Sequence, residues 1–240
     1  FKQKTAYEIM PSLVGSEMCI RDRRRGASVK RFYRSLTASG CDIDFDAFRD
    51  AYIAAARRQN EEAQVDFREL DYVERIDSAL RAIGFRHPQR SLLVRRAWAD
   101  YLDEWPRESS FYEGARSLLE SMGERYKLGL VTNFPDGPTA RRVFETLGLS
   151  ALFDSLVVSA EVGFRKPNRI IFERALSELE STAGRAVMVG DTFDADVVGA
   201  KNLGMKAVLI DADGDQAENH HVPDAVVRSI GEVAEVLRRL

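Results

Sequence analysis

The stretch RAVMVGDTFDADVVGAKNLGM, Arg185 to Met205, runs from an apolar segment through Gly190 into three carboxylates, Asp191, Asp194 and Asp196. Ala186 to Val189 has the apolar, β-branched character of a buried strand, and the residues that follow repeat apolar positions at helical spacing. Carboxylates this close repel one another unless a cation or water intervenes. A strand that ends in an acid and opens directly into a helix is a unit of an α/β sheet, in which ligands lie beyond the carboxyl ends of the strands.

The same grammar extends to both sides. YKLGLVTN, SLVVSAE, MKAVLID and DAVVRS also read as strands. Helical stretches near Glu113–Arg125, Pro138–Leu147, Asn168–Leu179, Asp194–Leu203 and Ser229–Leu240 alternate with them. The expected fold is therefore α/β, a Rossmann-like parallel sheet with helices on both faces, occupying residues 106–240. Pro106 marks the change of pattern. Upstream, residues 26–105 read as a small helical module whose apolar residues recur every three or four positions from Ser28 to Trp105. Asp44, Asp71 and Ser91 stand where N-caps belong, and Gly40 and Gly84 follow helix ends. Trp98 and Trp105, with Phe and Tyr at helical spacing, read as the core of this module. CDIDFDAF, which carries Asp42, Asp44 and Asp46, reads as an N-cap cluster between two of its helices.

Composition narrows the function classes. A net charge of −3 and a pI near 5.8 exclude a global field that recruits nucleic acid or an anionic membrane. No apolar run approaches the ~20 residues of a membrane span. Two cysteines, Cys19 and Cys41, give no disulfide framework and favour a reducing compartment, so a cytoplasmic location is expected. His220 and His221 sit in a polar loop without partners at ligand spacing. Oligomeric state is not legible.

Three strand ends carry polar residues that packing does not call for. Thr132 and Asn133 close the first, where a hydroxyl and free backbone N–H groups can hold a phosphate oxygen, or simply cap a helix. Lys166, beside Arg165 and immediately before Pro167, stands at the mouth of the next helix, where its ammonium can face an anion or only solvent. Asp191 closes the third, with Asp194 and Asp196 in the following turn. Acids there also suit a helix dipole, but that does not require Asp191 at the strand end. Hard oxygen ligands at a strand end suit Mg²⁺, which takes few carboxylates and keeps water and substrate phosphate.

From about Gly26 onward, LVTN, GFRKPNRIIFERAL and MVGDTFDADVVGAKNLGM resemble, in order, the second, third and fourth motifs of the haloacid dehalogenase superfamily, in its group with an inserted helical cap. The GD-x-x-x-x-D form of the last is specific; TN alone is weak. The resemblance implies a Mg²⁺-dependent phosphatase of a small phosphorylated metabolite, working through an aspartyl-phosphate. It gives Thr132, helped by the Asn133 backbone, a phosphoryl oxygen to hold, and gives Lys166 the negative charge of the nucleophile and phosphoryl group. Asp191 would bind the metal, and Asp196 would help place it or orient Lys166. Asp194 reads as a capping residue. A metal-free haloacid dehalogenase and a non-catalytic, degenerate relative that binds a partner are the alternatives.

The family's first motif, an apolar strand ending D-x-D-G-T, has no counterpart. Spacing puts it in the first ~20 residues, where Pro11 interrupts the only apolar run, a break that a central strand does not tolerate. PSLVGSEMCIRDR resembles translated sequencing-adaptor text, so residues 1–25 read as a non-native segment that replaces a lost first core strand. Without the attacking carboxylate, negligible turnover is expected of the chain as written.

Overall fold

A computed structural model describes residues 8–11, 27–110, 114–212, 214 and 222–240. Cys19, His220 and His221 lie outside the described residues. The chain forms two compact units, Phe1–Val14 with Phe111–Leu240, and Gly15–Ser110.

The second unit is helical: α1 (Ala27–Ala38), α2 (Phe45–Asp66), α3 (Tyr72–Ala82) and α4 (Arg90–Glu108). Its apolar stripes meet in a core in which Phe32, Leu36, Phe48, Ile76 and Leu80 are fully buried. Aromatic rings fill it; Phe32 lies 4.8 Å from Tyr101, and Tyr72 stacks on Trp98 at 5.1 Å. Asp44 and Asp71 cap α2 and α3, accepting from the N–H groups of Ala47 and Glu74 at 2.8 and 2.9 Å. Gly40 and Gly84 take the left-handed conformation after α1 and α3, at φ +89° and +73°. One expectation is corrected: Ser91 lies inside the first turn of α4, whose cap position is Gln89. Pro106 sits in the last turn of the same helix. There its missing N–H forfeits one bond, and Ser109 closes the end by donating its N–H and Oγ–H to the Trp105 carbonyl, at 3.0 and 2.7 Å.

The α/β unit contains β1 (Glu8–Pro11), α5 (Ala115–Gly123), β2 (Gly129–Thr132), α6 (Gly137–Thr146), β3 (Ser155–Val158) and α7 (Ser159–Val162). It continues with α8 (Arg169–Glu178), β4 (Ala186–Gly190), a π-helical turn Phe193–Val198, α9 (Gly199–Asn202), β5 (Lys206–Ile210), β6 (Ala225–Val227) and α10 (Ile230–Arg239). Every strand pairing is parallel: β1–β4–β5–β6 form one ladder and β2–β3 another. β2 runs beside β1 without joining its ladder, so the sheet changes direction of winding between β1 and β4.

Side chains alternate across this sheet. Leu130, Val187, Val189 and Val208 join α5, α6 and α10 in one apolar cluster. Val131, Ala186, Met188, Ala207 and Leu209 join α8 and α9 in the other. Both faces are thus covered, which is why the strands read as nearly unbroken apolar runs.

A strand drawn from the segment read as non-native occupies the place of the first core strand. Glu8–Pro11 pairs with β4 over its whole length, with Pro11 opposite Val189. Proline is tolerated because it is the last residue of the strand and the side toward β2 has no ladder to supply. The strand reads EIMP, however, and among the described residues no Asp stands at its carboxyl end.

Candidate active site

The carboxyl ends of β2 and β4 and the loop that leads into α8 carry the polar residues singled out above. At their centre is an ion pair. Lys166 Nζ donates to Asp196 Oδ1 at 2.6 Å, with the two side chains 4% and 1% exposed. The other Asp196 oxygen, Oδ2, accepts from the Thr192 N–H at 3.0 Å. Burying two charges costs less when the geometry is good and the remaining polar groups are satisfied; both Asp196 oxygens are engaged, while Lys166 Nζ makes one hydrogen bond among the described residues.

Local structure makes this possible. The π-helical turn begins after Thr192 and widens the coil. Within it Asp196 is buried while Asp194 stays exposed. Gly190 clears the space: a Cβ there would overlap the Asp196 carboxylate. The specific GD-x-x-x-x-D pattern therefore has a steric reason in its first residue and an electrostatic one in its last. Asp194 makes no capping hydrogen bond, which corrects its reading as a cap; Thr192 holds the cap position.

Asp191 follows directly on β4 and accepts from the Thr192 hydroxyl at 3.2 Å. Its surface is open to solvent on one side while protein hems it on the others. Burial therefore raises its pKa above the ordinary carboxylate value, the Asp196 charge adds to the rise, and Lys166 opposes it. Such a carboxylate gains from a nearby cation. The donor chemistry fits Mg²⁺ at Asp191, since that ion takes one or two carboxylates with water and phosphate oxygens. Asp196 fits less well as a direct ligand, because each of its oxygens is already engaged. Among the described residues, no group of three or more His, Cys, Asp or Glu could hold a metal.

Thr132 is half-buried at the end of β2, and its hydroxyl has no partner among the described residues. Asn133 faces elsewhere than a ligand. Its Oδ1 accepts from the Lys166 N–H at 2.7 Å and its Nδ2 donates to the Lys166 carbonyl at 3.1 Å. The side chain thus ties the β2 exit to the lysine segment, and only its backbone remains for an anion. The Lys166–Pro167 peptide bond is cis, and Asn168 caps α8 by accepting from the Ile170 N–H at 2.9 Å. Arg165 is half-buried and makes no ion pair among the described residues.

Sequence reasoning missed Ser159. Fully buried, it accepts from the Phe134 N–H at 2.9 Å and bonds the Phe134 carbonyl at 3.3 Å, fixing the loop just beyond Thr132. A serine after an apolar strand gives no signal of such a role. Asp211, 3% exposed after β5, accepts from the Gly214 N–H at 2.9 Å and shapes the turn there.

A Rossmann-like sheet with an inserted helical unit and a lysine–carboxylate pair at its strand ends defines a hydrolase of the haloacid dehalogenase type. The chain belongs to the haloacid dehalogenase-like hydrolases, whose family model matches residues 48–210. It is similar to a glyceraldehyde 3-phosphate phosphatase of Methanothermobacter thermautotrophicus, 37% identical over 128 residues, which cover 50% of this chain and 55% of that protein. A ribulose-1,5-bisphosphate 5-phosphatase of Halopiger xanaduensis is 28% identical over 209 residues, 82% of this chain and 85% of that one. A pyrimidine 5'-nucleotidase of Escherichia coli is 35% identical over 125 residues, 52% and 55% of the two chains. The chain thus matches about half the length of the first and third of these relatives.

Among solved structures, a 2-haloacid dehalogenase from Pseudomonas syringae pv. Tomato DC3000 superposes with a TM-score of 0.75 at 19% identity, covering 98% of this chain and 99% of that one. A HAD phosphatase from Thermococcus onnurineus gives 0.69 at 22% identity, covering 97% of each. These likenesses show the fold, which a dehalogenase and a phosphatase share.

Proposed function

We propose that the scaffold is that of a Mg²⁺-dependent phosphatase of small phosphorylated metabolites, and that the chain as written lacks the nucleophile that would complete it. The buried Lys166–Asp196 pair beside Asp191 carries this reading. Asp196 consumes one of the three donors of the Lys166 ammonium and fixes its position, leaving the others for anionic oxygens. The Thr132 hydroxyl and the Asn133 N–H would hold a phosphoryl oxygen, since the Phe134 N–H is spent on Ser159. Asp191 would hold Mg²⁺, with Asp196 acting through Lys166 instead of on the metal. The bound ion supplies charge that offsets repulsion between a carboxylate nucleophile and a phosphate ester.

The nucleophile belongs at the carboxyl end of β1, where an aspartate would attack phosphorus and become phosphorylated before water regenerates it. EIMP offers none. In this reading residues 1–25 stand in place of a native strand ending D-x-D, residues 26–105 form the cap that selects the substrate, and residues 106–240 form the core of a cytoplasmic enzyme. Curated relatives that act, by name, on glyceraldehyde 3-phosphate, ribulose-1,5-bisphosphate and pyrimidine 5'-nucleotides support the substrate class.

The test compares phosphate release from a panel of sugar phosphates and nucleotides by two proteins, the chain as written and one whose residues 1–25 are replaced by an apolar strand ending D-x-D-G-T. The expected result is Mg²⁺-dependent turnover by the second protein alone, abolished by EDTA. Equal turnover by the chain as written would overturn the missing-nucleophile reading. Metal-independent release of halide from a haloacid would select the dehalogenase alternative.

A further inference from the structure

In the helical unit the charge of Arg75 is buried without an ion-pair partner among the described residues. Arg75, in the first turn of α3, is 5% exposed. Its Nε donates to Gln59 Oε1 at 2.9 Å, and Gln59 is itself oriented by donating Nε2 to the Asp71 carbonyl at 2.9 Å. The guanidinium lies over the Tyr72 ring at 4.3 Å and near the Tyr52 ring at 5.7 Å. Nη2 is buried with no hydrogen-bond partner among the described residues. No carboxylate among the described residues pairs with this arginine. Half-buried Arg90, by contrast, reaches Asp77 at 2.7 Å, and exposed Arg141 reaches Glu161 at 2.6 Å.

A guanidinium cannot shed its proton to escape burial. Two tyrosine faces and one neutral amide offset part of the cost of desolvation, but they do not neutralise the charge. They do hold the fork in a single orientation, as a planar, bidentate partner would require. Tyr72 is in turn stacked on Trp98 at 5.1 Å, so the cage belongs to the rigid aromatic core.

We propose that Arg75 anchors an oxyanion-binding site in the helical unit, taking the carboxylate or phosphate group of a small ligand on the unused edge of its guanidinium. The proposal does not rest on the reading of the strand-end residues.

Both tryptophans of the chain, Trp98 and Trp105, lie in the helical unit, and Trp98 stacks on Tyr72 of the cage, so their fluorescence reports on this unit. The experiment titrates the full chain with inorganic phosphate and with acetate, against chloride at matched ionic strength. A saturable change in emission is expected with at least one oxyanion and none with chloride. Phosphate alone would assign a phosphoryl group, acetate alone a carboxylate. Arg75→Lys should bind about tenfold more weakly, because an ammonium keeps the charge and loses the fork. Arg75→Gln should lose the response while its far-UV circular dichroism is unchanged. No saturable change in the parent chain, or an undiminished one in Arg75→Gln, would overturn the proposal. Should Arg75→Gln not fold, Gln59→Leu serves: it leaves the charge and removes its orientation, and unaltered affinity in that variant overturns the proposal equally.

Discussion

Replacing Asp196 with Asn removes one charge and almost no volume from the most buried ion pair among the described residues. The Lys166 side chain is 4% exposed and that of Asp196 1%, so the ammonium left behind is sealed from water. Breaking such a pair from one side costs about 3–5 kcal/mol, because the survivor keeps its desolvation penalty and loses its partner. That is a large part of the 5–15 kcal/mol by which a domain of ordinary stability holds together. The Thr192 N–H adds to the loss when the amide turns its NH₂ toward it. Lys166→Met should cost a similar amount from the other side. The double variant Lys166→Met/Asp196→Leu should be more stable than the sum of the single losses implies, since no orphaned charge remains. Urea unfolding followed by circular dichroism is the suitable assay, because it follows the secondary structure of both units, whereas both tryptophans lie in the helical one. A loss below about 1 kcal/mol for Asp196→Asn, the range of an exposed pair, would refute the account of the site as a sealed, mutually dependent pair. Simple additivity in the double variant would do the same.

Gly190→Ala places a methyl group on the Asp196 carboxylate and should cost about 1–3 kcal/mol by overpacking, read as a lower thermal midpoint. Asn133→Leu strands the N–H and carbonyl of Lys166, and a loss of about 1–3 kcal/mol in urea unfolding is expected. Burial raises the pKa of Asp224, but the Lys201 hydrogen bond and the Ala207 N–H outweigh it and hold the carboxyl below its usual value. A depressed folded-state value means that its stabilisation is present above the unfolded pKa of about 3.9 and fades as pH falls through the folded one. The stability gap between the parent chain and Asp224→Asn should therefore be full at neutral pH and narrow on acidification below about pH 4; a gap that is constant with pH would contradict this pairing.

How much of this was legible beforehand differs between elements. All five strands read from the apolar runs beyond Pro106 form, and Asp44 and Asp71 cap the helices they were expected to cap. Pro106 is accommodated within α4 because a proline in a helix's final turn removes only one bond. Pro11 stands at the end of its strand with no ladder on its second side, so the pairing with β4 survives it.

By itself the sequence settled the strand–helix alternation and which residues stand at strand ends, because burial on both faces of a parallel sheet imposes local, contiguous apolar runs. It could not settle what those residues do to each other. Asp196 meets Lys166 across 30 positions of sequence, and Asn133 holds the Lys166 backbone across 33. Whether an acid in a helix's first turn serves a metal, a dipole or a lysine depends on which strand comes to lie alongside it. The π-helical turn that buries Asp196, the space that Gly190 leaves for it and the tyrosine cage around Arg75 likewise exist only once distant segments pack together.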